Sequence, residues 1–387
     1  MSAFLDSVTA FKLKARGWLI SRTRKLLKTA DSKLSVATSF LFCDNAIFGF
    51  RDYCRSVSWT RERQKEFDEY WLENYGSKIG SEWHRFYEGL TGSYSPNFFP
   101  TTLYSPNLAR KLNNMQLAAI CDSKTMLPYF FNNAELGRKC IPDHYAYRIQ
   151  GYFYDKDRNV VSCEELSRRV ANVGPCVLKA AGEMQGKGVI MLDLKDGRDV
   201  KTGKSALELF KLTKGDFVLQ ERVTEHSALT YLSPNSLNTI RVTTYICEDV
   251  VCRSPILVRL GIGASPVDNF HAGGLAVGVR DDGTLLKTAL QIDSRHLFTK
   301  QTINPNTGEP FEGYKLPFID RVIDFVTKNH GRIPGIGMVS WDLILTEDGD
   351  PMVIEVNVSK QNIAFIQYVH GPIFGDNTPK MLKLIRK

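Results

Sequence analysis

The spacing of hydrophobic and polar positions changes near residue 100 of the chain. Before it, charged and aromatic side chains mix without strand-like alternation, as in SWTRERQKEFDEYWLENYG, which predicts helices. After it, short apolar runs between Gly, Pro, Asn and Asp clusters predict strands: VGPCVLKA, GVIMLDL, FVLQERV, NTIRVTTYI, GLAVGV and the hairpin SWDLILTEDGDPMVIEVNVS. Helices are predicted between them at residues 162–170, 206–211 and 317–328. The pattern predicts an α+β protein with much antiparallel sheet and a helical N-terminal extension.

A stretch rich in Pro, Ser, Thr and Asn at residues 91–107, TGSYSPNFFPTTLYSPN, marks a boundary or a long loop. The chain of 387 residues is long enough for two or three compact units. We therefore predict a helical, basic N-terminal region at residues 1–95, a second unit at residues 96–225 and a third at residues 226–387.

The predicted hairpin carries two carboxylates, Asp342 and Glu355, in otherwise apolar strands, with Asn357 two residues beyond. If Asp348-Gly349 forms a two-residue turn, the two carboxylates lie directly opposite each other. Opposed carboxylates repel unless a cation or a proton neutralises them, and oxygen ligands suit Mg²⁺ or Mn²⁺. These three residues therefore predict a metal site. The alternative is a solvated strand face on which the three polar groups happen to sit.

The same register divides the other hairpin residues between two faces. The predicted core face consists of Trp341, Leu343, Leu345, Met352, Ile354, Val356 and Val358. The carboxylate face is predicted to include Ser340, Ile344 and Val353.

A second motif, PCVLKAAGEMQGKGVIMLDL, places Lys179 at the end of an apolar strand and follows it with Gly182, Gly186 and Gly188. Glycines between two strands permit positive φ and a close approach of the backbone, so this loop could fold over phosphates that Lys179 also contacts. The spacing is not that of a Walker loop. A glycine-rich hairpin with an exposed lysine explains the same residues.

A third motif is DFVLQERVTEH, in which an apolar strand runs into Gln220, Glu221 and Val223. Backbone donors and acceptors of this segment could bind the edge of a purine, with Glu225 close enough to contact a ribose. An ordinary edge strand is the alternative.

Composition narrows the class of protein only a little. Hydrophobic residues make up 43% and charged residues 24% of the chain, which is ordinary for a globular protein and argues against a disordered or fibrous one. No apolar run is long enough to span a membrane and no signal-peptide segment is recognised, so we expect a cytoplasmic protein. The eight cysteines lack zinc-ligand spacing and are predicted to be reduced thiols, many of them in the core.

The formal net charge of +8 is concentrated near the N-terminus, where residues 11–28 hold seven Lys or Arg and no acidic residue. Apolar residues recur at helical spacing from Phe4 to Trp18, so a basic amphipathic helix is predicted over residues 4–28. This helix could make peripheral contact with the inner face of an anionic membrane, pack on its own domain, or serve as an organellar transit peptide. No nucleic-acid partner is expected.

In their order and spacing, these segments resemble the ATP-grasp superfamily over roughly residues 110–370. The metal ligands of that superfamily are an Asp, a Glu thirteen residues on and an Asn two further, and Asp342, Glu355 and Asn357 match them. The resemblance implies two α+β subdomains that clamp ATP, with the lysine and glycine-loop motif in the first and the metal site in the second.

The resemblance also implies a set of nucleotide-binding residues. CDSKTMLPYFF supplies a match to the first lysine of the superfamily, and Gln220 stands where many members have Glu. The implied set is Lys124, Lys179, Gly186, Gly188, Gln220, Glu221, Val223 and Glu225.

SPNSLNTIRVTTYI, DNFHAGGLAVGVRDDGTL and the pair WD with IEVN are similar to the sugar-transfer-associated ATP-grasp branch, whose name refers to polysaccharide biosynthesis. The likeness makes Asn238 and Arg241, with Lys179, candidate catalytic residues. Alternatively, Asn238 and Arg241 cap and brace a corner of the sheet. The candidate substrate-binding residues are Asn269, His271 and Arg259.

One departure from the pattern concerns a positive charge. D-alanine ligases have an Arg two residues before the metal-binding Asp, and this chain has Ser340 there. The missing charge could come from Arg241, Arg259 or Lys360.

The reaction implied by the resemblance is ATP-dependent coupling of a carboxylate to an amine through an acyl phosphate, with Mg²⁺ or Mn²⁺ as the metal. The carboxylate is a small molecule or is linked to a glycan. The alternatives are a nucleotide-binding regulatory protein without turnover and an ATP-grasp kinase.

Overall fold

The computed structural model describes residues 54–181, 188–265, 268, 270, 273–292, 298–359 and 361–386. These residues form helices and antiparallel strands. The α-helices are α1 (Arg61–Tyr75), α2 (Glu82–Thr91), α3 (Thr101–Leu103), α4 (Ala109–Leu112), α5 (Met115–Cys121), α6 (Leu127–Phe130), α7 (Cys163–Arg169), α8 (Ala206–Leu212), α9 (Ser227–Leu232), α10 (Ile319–Asn329), α11 (Ala364–Val369) and α12 (Thr378–Lys383). Turns of 3₁₀-helix cover Lys124–Met126, His330–Arg332 and Gly375–Asn377, and a π-helical turn covers Tyr104–Leu108. The helix predicted over residues 4–28 lies outside the described residues.

The strands form two antiparallel sheets. They are β1 (His144–Ile149), β2 (Tyr152–Asp155), β3 (Val160–Val161), β4 (Gly174–Ala180), β5 (Val189–Lys195), β6 (Arg198–Asp199), β7 (Phe217–Glu221), β8 (Thr239–Cys247), β9 (Val250–Arg253), β10 (Ile256–Leu260), β11 (Leu275–Val279), β12 (Leu285–Ile292), β13 (Phe298–Gln301), β14 (Met338–Leu345) and β15 (Pro351–Asn357). The first sheet has the order β3-β2-β1-β7-β4-β5-β6, and the second has the order β13-β12-β11-β10-β8-β14-β15 with β9 paired to β8.

The predicted helices form where local capping favours them. Ser162 caps α7, because its side chain accepts a hydrogen bond from the Glu165 N–H. Ser205 and Glu208 form a capping box at the start of α8. The helix predicted at residues 317–328 is confirmed as α10.

Three apolar cores hold these elements together. The first sheet packs against α7 and α8 in a core of its own. One face of the second sheet packs against α10 and apolar side chains of residues 118–141. The opposite face packs, at one end, against α1, α2, α11 and α12. Residues 98–141 thus contribute apolar side chains to the cores of the second sheet, although the predicted boundary grouped them with the first.

The β14–β15 hairpin differs from the predicted register near its turn. Leu345 pairs with Pro351, and the Thr346 N–H donates to the Asp350 carbonyl at 2.9 Å, so the loop consists of the three residues 347–349 instead of the predicted two, with Gly349 at a positive φ of 77°. A β-bulge at Ile354 then restores the pairing, and Asp342 lies directly opposite Glu355 as predicted. The predicted core face is wrong between the bulge and the turn. Val353, which was predicted on the carboxylate face, lies in the core instead.

Candidate functional site

A cavity of about 860 Å³ lies between the two sheets. Its walls come from the ends of β4 and β7, from residues 222–225, which connect the sheets, and from the polar part of one face of the second sheet. The other end of that face is covered by apolar helices, which leaves the polar part facing the first sheet. Most of the side chains that the sequence predicts as functional therefore meet in one place.

The predicted metal ligands lie on one wall of this cavity. Asp342 is opposite Glu355, and Asn357 is opposite Ser340 in the same ladder. The Asp342 side chain is only 2% exposed, whereas the Glu355 side chain is 33% exposed. Asn357 donates a hydrogen bond of 3.3 Å to Asp342 Oδ2. The three oxygen-bearing side chains thus cluster, as predicted.

Two arginines neutralise the buried carboxylate. Arg241 lies opposite Asp342 on the neighbouring strand β8 and forms a bidentate pair with it, Nε to Oδ1 at 2.7 Å and Nη2 to Oδ2 at 2.6 Å. Arg259 on β10 places its Nη2 3.4 Å from Asp342 Oδ2. Burial alone would raise the pKa of Asp342, but the two guanidinium groups outweigh it and hold this pKa below its usual value.

Among the described residues, Arg241 and Arg259 place positive charge beside Asp342, whereas Ser340 is neutral. The Ser340 hydroxyl lies 2.8 Å from the Thr243 hydroxyl and accepts a hydrogen bond from Gln361. Its position in the ladder therefore carries no charge, and the positive groups beside Asp342 come from the adjacent strands instead. Lys360, the third option, lies outside the described residues.

Two lysines face the carboxylate wall. Lys124, on the 3₁₀ turn after α5, places its Nζ 3.5 Å from Glu355 Oε1. Lys179 ends β4 and lines the same cavity. Burial lowers the pKa of Lys179 to about 8, against the opposing effect of the Glu355 carboxylate. The glycine-rich hairpin is confirmed at its ends, where Lys179 pairs with Val189 and Gly188 has a φ of 72°.

The connecting segment follows a central strand. β7 pairs with β1 on one side and β4 on the other, so the alternative of an ordinary edge strand is wrong. Gln220, Glu221 and Val223 all line the cavity. The Glu221 carboxylate binds Lys139 Nζ at 2.7 Å and accepts from the Asp143 N–H. The Val223 backbone makes no hydrogen bond to another described residue, so it can bind a ligand edge.

Two hydrogen bonds join Glu225 and Asn238. The Glu225 carboxylate accepts from the Asn238 N–H and side-chain amide, both at 2.5 Å. Burial raises the pKa of Glu225 to about 8. Asn238 is fully buried and also bonds the carbonyls of Leu229 and Ser233. The structure therefore argues against a catalytic Asn238: it braces the start of β8 and positions Glu225, which does line the cavity.

Two acidic residues of the cavity were missed by the sequence predictions. Asp122 accepts hydrogen bonds from the N–H groups of Val358 and Ser359, and so fixes the chain just after Asn357. Asp268 accepts from the Thr239 N–H and lies 3.3 Å from Arg259 Nε. Asp122 precedes Lys124 in the motif already singled out, and that proximity was the available signal. Asp268 is the first residue of the DNFHAGG segment, directly before Asn269, so the same signal was available there.

Three of the predicted site residues lie outside the described part of the chain. They are Gly186, Asn269 and His271. Their predicted roles stay predictions.

The sequence of residues 104–378 matches the family model described as sugar-transfer associated ATP-grasp. The chain belongs to this ATP-grasp family. No curated protein matches the sequence. The two antiparallel α+β units on either side of the cavity agree with the predicted ATP-grasp fold.

Solved structures similar to this ATP-grasp chain are distant. An N5-carboxyaminoimidazole ribonucleotide synthetase in complex with ADP is 14% identical, with a TM-score of 0.37, over 64% of this chain and 47% of that one. An L-amino acid ligase from Bacillus licheniformis is 14% identical, with a TM-score of 0.35, over 69% and 47%. A D-alanine–D-alanine ligase from Bacillus anthracis is 15% identical, with a TM-score of 0.34, over 70% and 68%. The chain spans about half the length of the first two.

The side chains of the ATP-grasp chain fit a hard divalent cation. Asp342, Glu355 and Asn357 offer oxygen atoms, and each of the two carboxylates already has a cationic side chain beside it. The described residues contain no group of three His, Cys, Asp or Glu side chains that could hold a metal alone. A cation here would therefore need oxygen atoms from a ligand or from water as well.

The described cysteines are all free thiols, and most are buried, as predicted. No helix in the described part of the chain is long and apolar enough to cross a membrane.

Proposed function

We propose that this ATP-grasp protein is an ATP-dependent carboxylate–amine ligase. One observation carries the proposal: two directly opposed carboxylates and two lysines face each other across a single cavity. Opposed carboxylates would suit a divalent cation, and lysines would suit phosphate oxygens. This combination suits phosphoryl transfer from ATP.

Each group of residues has a separate task in this proposal. Lys124 and Lys179 neutralise the phosphates of ATP, and the backbone of Val223 binds the purine edge. Asp342, Glu355 and Asn357 would hold Mg²⁺ or Mn²⁺. A cation held there would supply positive charge that neutralises phosphate oxygens. Arg241 and Arg259, which line the same cavity, are assigned to binding of a negatively charged acceptor.

The chemistry proceeds in two steps. A carboxylate oxygen of the acceptor attacks the γ-phosphorus, the bond to the β-phosphate oxygen breaks, and ADP leaves. The amine then attacks the carbonyl carbon of the acyl phosphate, a C–N bond forms, phosphate leaves and the amine loses a proton. The side chains of the protein bind and orient the reactants, and no protein nucleophile is needed.

We infer that the acceptor is a carboxylate linked to a sugar or polysaccharide and that it is coupled to an amine or an amino acid, because the family description names an association with sugar transfer. Residues 4–28 would add peripheral contact with the inner face of a membrane through their basic charge.

The products of ATP turnover test this function. We expect incubation of the full chain with ATP, Mg²⁺ and pools of carboxylates and amines to give ADP and an amide. Added hydroxylamine should trap the acyl phosphate as a hydroxamate. ADP with a stable phosphate ester and no hydroxamate would identify a kinase instead. Nucleotide binding without any ADP would identify a regulatory protein.

Nucleotide binding should be linked to proton uptake at Lys179. Its pKa of about 8 means that the amine is protonated well below pH 8 and largely neutral well above it. Phosphate favours the ammonium form and raises this pKa, so binding should take up as much as about half a proton at pH 8 and about none at pH 6. Affinity for ATP should therefore fall as the pH rises above 8.

Calorimetry in buffers of different ionisation enthalpy measures this uptake. The matched control is Lys179→Arg, in which the side chain stays charged and the uptake near pH 8 should disappear. Equal proton uptake by both proteins would contradict the assignment to Lys179.

A further inference from the structure

The ion pair between Arg241 and Asp342 places a permanent cation on the carboxylate that the proposed function assigns to the metal. Both Asp342 oxygens accept from Arg241, at 2.7 and 2.6 Å. Oδ2 also has Arg259 Nη2 at 3.4 Å and the Asn357 amide at 3.3 Å. A cation that approached Asp342 Oδ2 would meet hydrogen-bond donors around that oxygen and the two positive charges of Arg241 and Arg259. Guanidinium and metal therefore compete for Asp342.

The two arginines differ in how firmly they are held. Arg259 donates to the Thr239 hydroxyl from both Nε and Nη2, at 2.9 and 2.7 Å, and has Asp268 as a second carboxylate partner. Among the described residues, the Arg241 guanidinium donates hydrogen bonds only to Asp342. Displacing Arg241 thus breaks one pair, whereas displacing Arg259 breaks a network.

The position of Arg241 fits a second partner within the cavity. Its side chain is 16% exposed and lines the cavity wall, and its guanidinium carbon lies 5.7 Å from the centre of the Phe365 ring. A side chain with an aromatic neighbour and a cavity in front of it can turn without losing all its contacts. A planar guanidinium binds a carboxylate or a phosphoryl group as readily as it binds Asp342.

We propose that Arg241 exchanges partners during the reaction. It holds Asp342 while neither metal nor nucleotide is bound, and it leaves Asp342 when the cation that accompanies the nucleotide takes that carboxylate. The freed guanidinium then binds an oxyanion of the reacting pair, either the acceptor carboxylate or the transferred phosphoryl group. The oxyanion subsite therefore forms only after the metal nucleotide has bound. This exchange rests on the proposed function, because it assumes a metal at Asp342.

Removal of the competing guanidinium should strengthen metal binding, which is the reverse of what a purely structural arginine would do. We expect Arg241→Gln to bind Mn²⁺ at least about tenfold more tightly than the wild type without nucleotide. The difference should shrink when AMPPNP is present. Arg241→Lys, which keeps a charge but cannot form the bidentate pair, should lie between them and serves as a second variant if Arg241→Gln does not fold. Electron paramagnetic resonance of free Mn²⁺ measures these affinities on the full chain.

A second readout follows the freed guanidinium. With Mg²⁺ and ADP present, wild-type protein should bind inorganic phosphate or acetate measurably more tightly than without Mg²⁺, and Arg241→Gln should lose that gain. A gain for phosphate identifies the transferred phosphoryl group as the partner, and a gain for acetate identifies the acceptor carboxylate. Arg253→Gln, which breaks an ion pair with Asp281 away from the cavity, is the matched control and should behave as the wild type.

The outcomes separate the exchange from the proposed function. Equal Mn²⁺ affinities in wild type and both Arg241 variants, with normal binding of Mn²⁺ and AMPPNP together, would overturn the exchange and leave the function intact. Absence of a metal-dependent gain for either oxyanion would overturn it too. Failure of the wild type to bind Mn²⁺ even with AMPPNP would overturn the metal site, and with it the proposed function.

Discussion

Replacing Glu355 by Gln is expected to lower ATP-dependent turnover by roughly 10²- to 10³-fold while the protein stays folded. The substitution removes one negative charge from the carboxylate pair and leaves the shape of the side chain unchanged. Glu355 is 33% exposed and its ion partner Lys124 lies at 3.5 Å, so the loss of this pair should cost less than about 1 kcal/mol of stability. The main expected effect is therefore a lower turnover rate, because the cation site loses one negative charge.

Steady-state rates of ADP formation at saturating ATP, measured over a range of Mg²⁺ concentrations, test this expectation. Thermal denaturation of the same preparation checks the fold. The matched control is Glu135→Gln, which breaks an exposed ion pair with Arg332 at 3.0 Å outside the cavity and should turn over as the wild type does. Wild-type turnover in Glu355→Gln would remove Glu355 from the metal site.

Replacing Asp342 by Asn should have a large effect on stability as well. Asp342 is 2% exposed, and its neutralisation leaves the guanidinium groups of Arg241 and Arg259 without their shared counter-charge. Breaking a buried ion pair by removing one partner costs about 3–5 kcal/mol. For a chain of this size, that corresponds to a fall in Tm of roughly 4–6 °C.

Denaturation without metal or nucleotide isolates this effect, because any ligand would add its own stabilisation. Asp281→Asn is the control: its partner Arg253 is also an arginine, at 2.5 Å, but the Asp281 side chain is 71% exposed. That substitution should lower stability by less than about 1 kcal/mol. Similar losses in both variants would mean that burial of the Asp342 pair contributes nothing beyond a surface contact.

The two substitutions separate the roles of two residues that occupy one rung of the ladder. Glu355 lines the cavity, is 33% exposed and pairs with Lys124, so its substitution is expected to affect mainly the proposed reaction. Asp342 lies beneath two arginines, so its charge also holds β8, β10 and β14 together. Without the structure, both residues would be expected to respond alike.

The polar and apolar pattern was enough to predict the α+β class, the main strands and the cluster at Asp342, Glu355 and Asn357. Alternation along a strand reports a face, which is a local property, and this was enough for the class and the predicted strands. The opposition of Asp342 and Glu355 was predicted correctly because the extra residue at Ile354 offsets the longer loop. Strands β1, β2, β3, β6, β9, β10, β12 and β13 were not predicted. In HYAYRIQGYFYD, aromatic side chains occupy both faces and hide the alternation that marks a half-buried strand.

The sequence could not predict which charges pair. Arg241 and Asp342 are 101 residues apart, and the bond between them exists because β8 and β14 are neighbours in the sheet. The sequence also could not predict the partners of Asn238, whose side-chain amide donates hydrogen bonds to Glu225 and to nearby carbonyls. A residue type shows what a side chain can bind, and the tertiary structure decides what it does bind.

The bulge at Ile354 has a consequence for hairpin length. Residues that face each other across a regular three-residue loop are always an even number of positions apart, yet Asp342 and Glu355 are separated by 355 − 342 = 13. An odd interval with such a loop requires one extra residue in a strand, and that residue adds the Ile354 side chain to the cavity wall. Deleting Ile354 would keep both carboxylates opposed on the same face and remove one apolar side chain beside them. The extra residue therefore changes the apolar lining of the cavity. The two carboxylates would lie opposite each other with or without it.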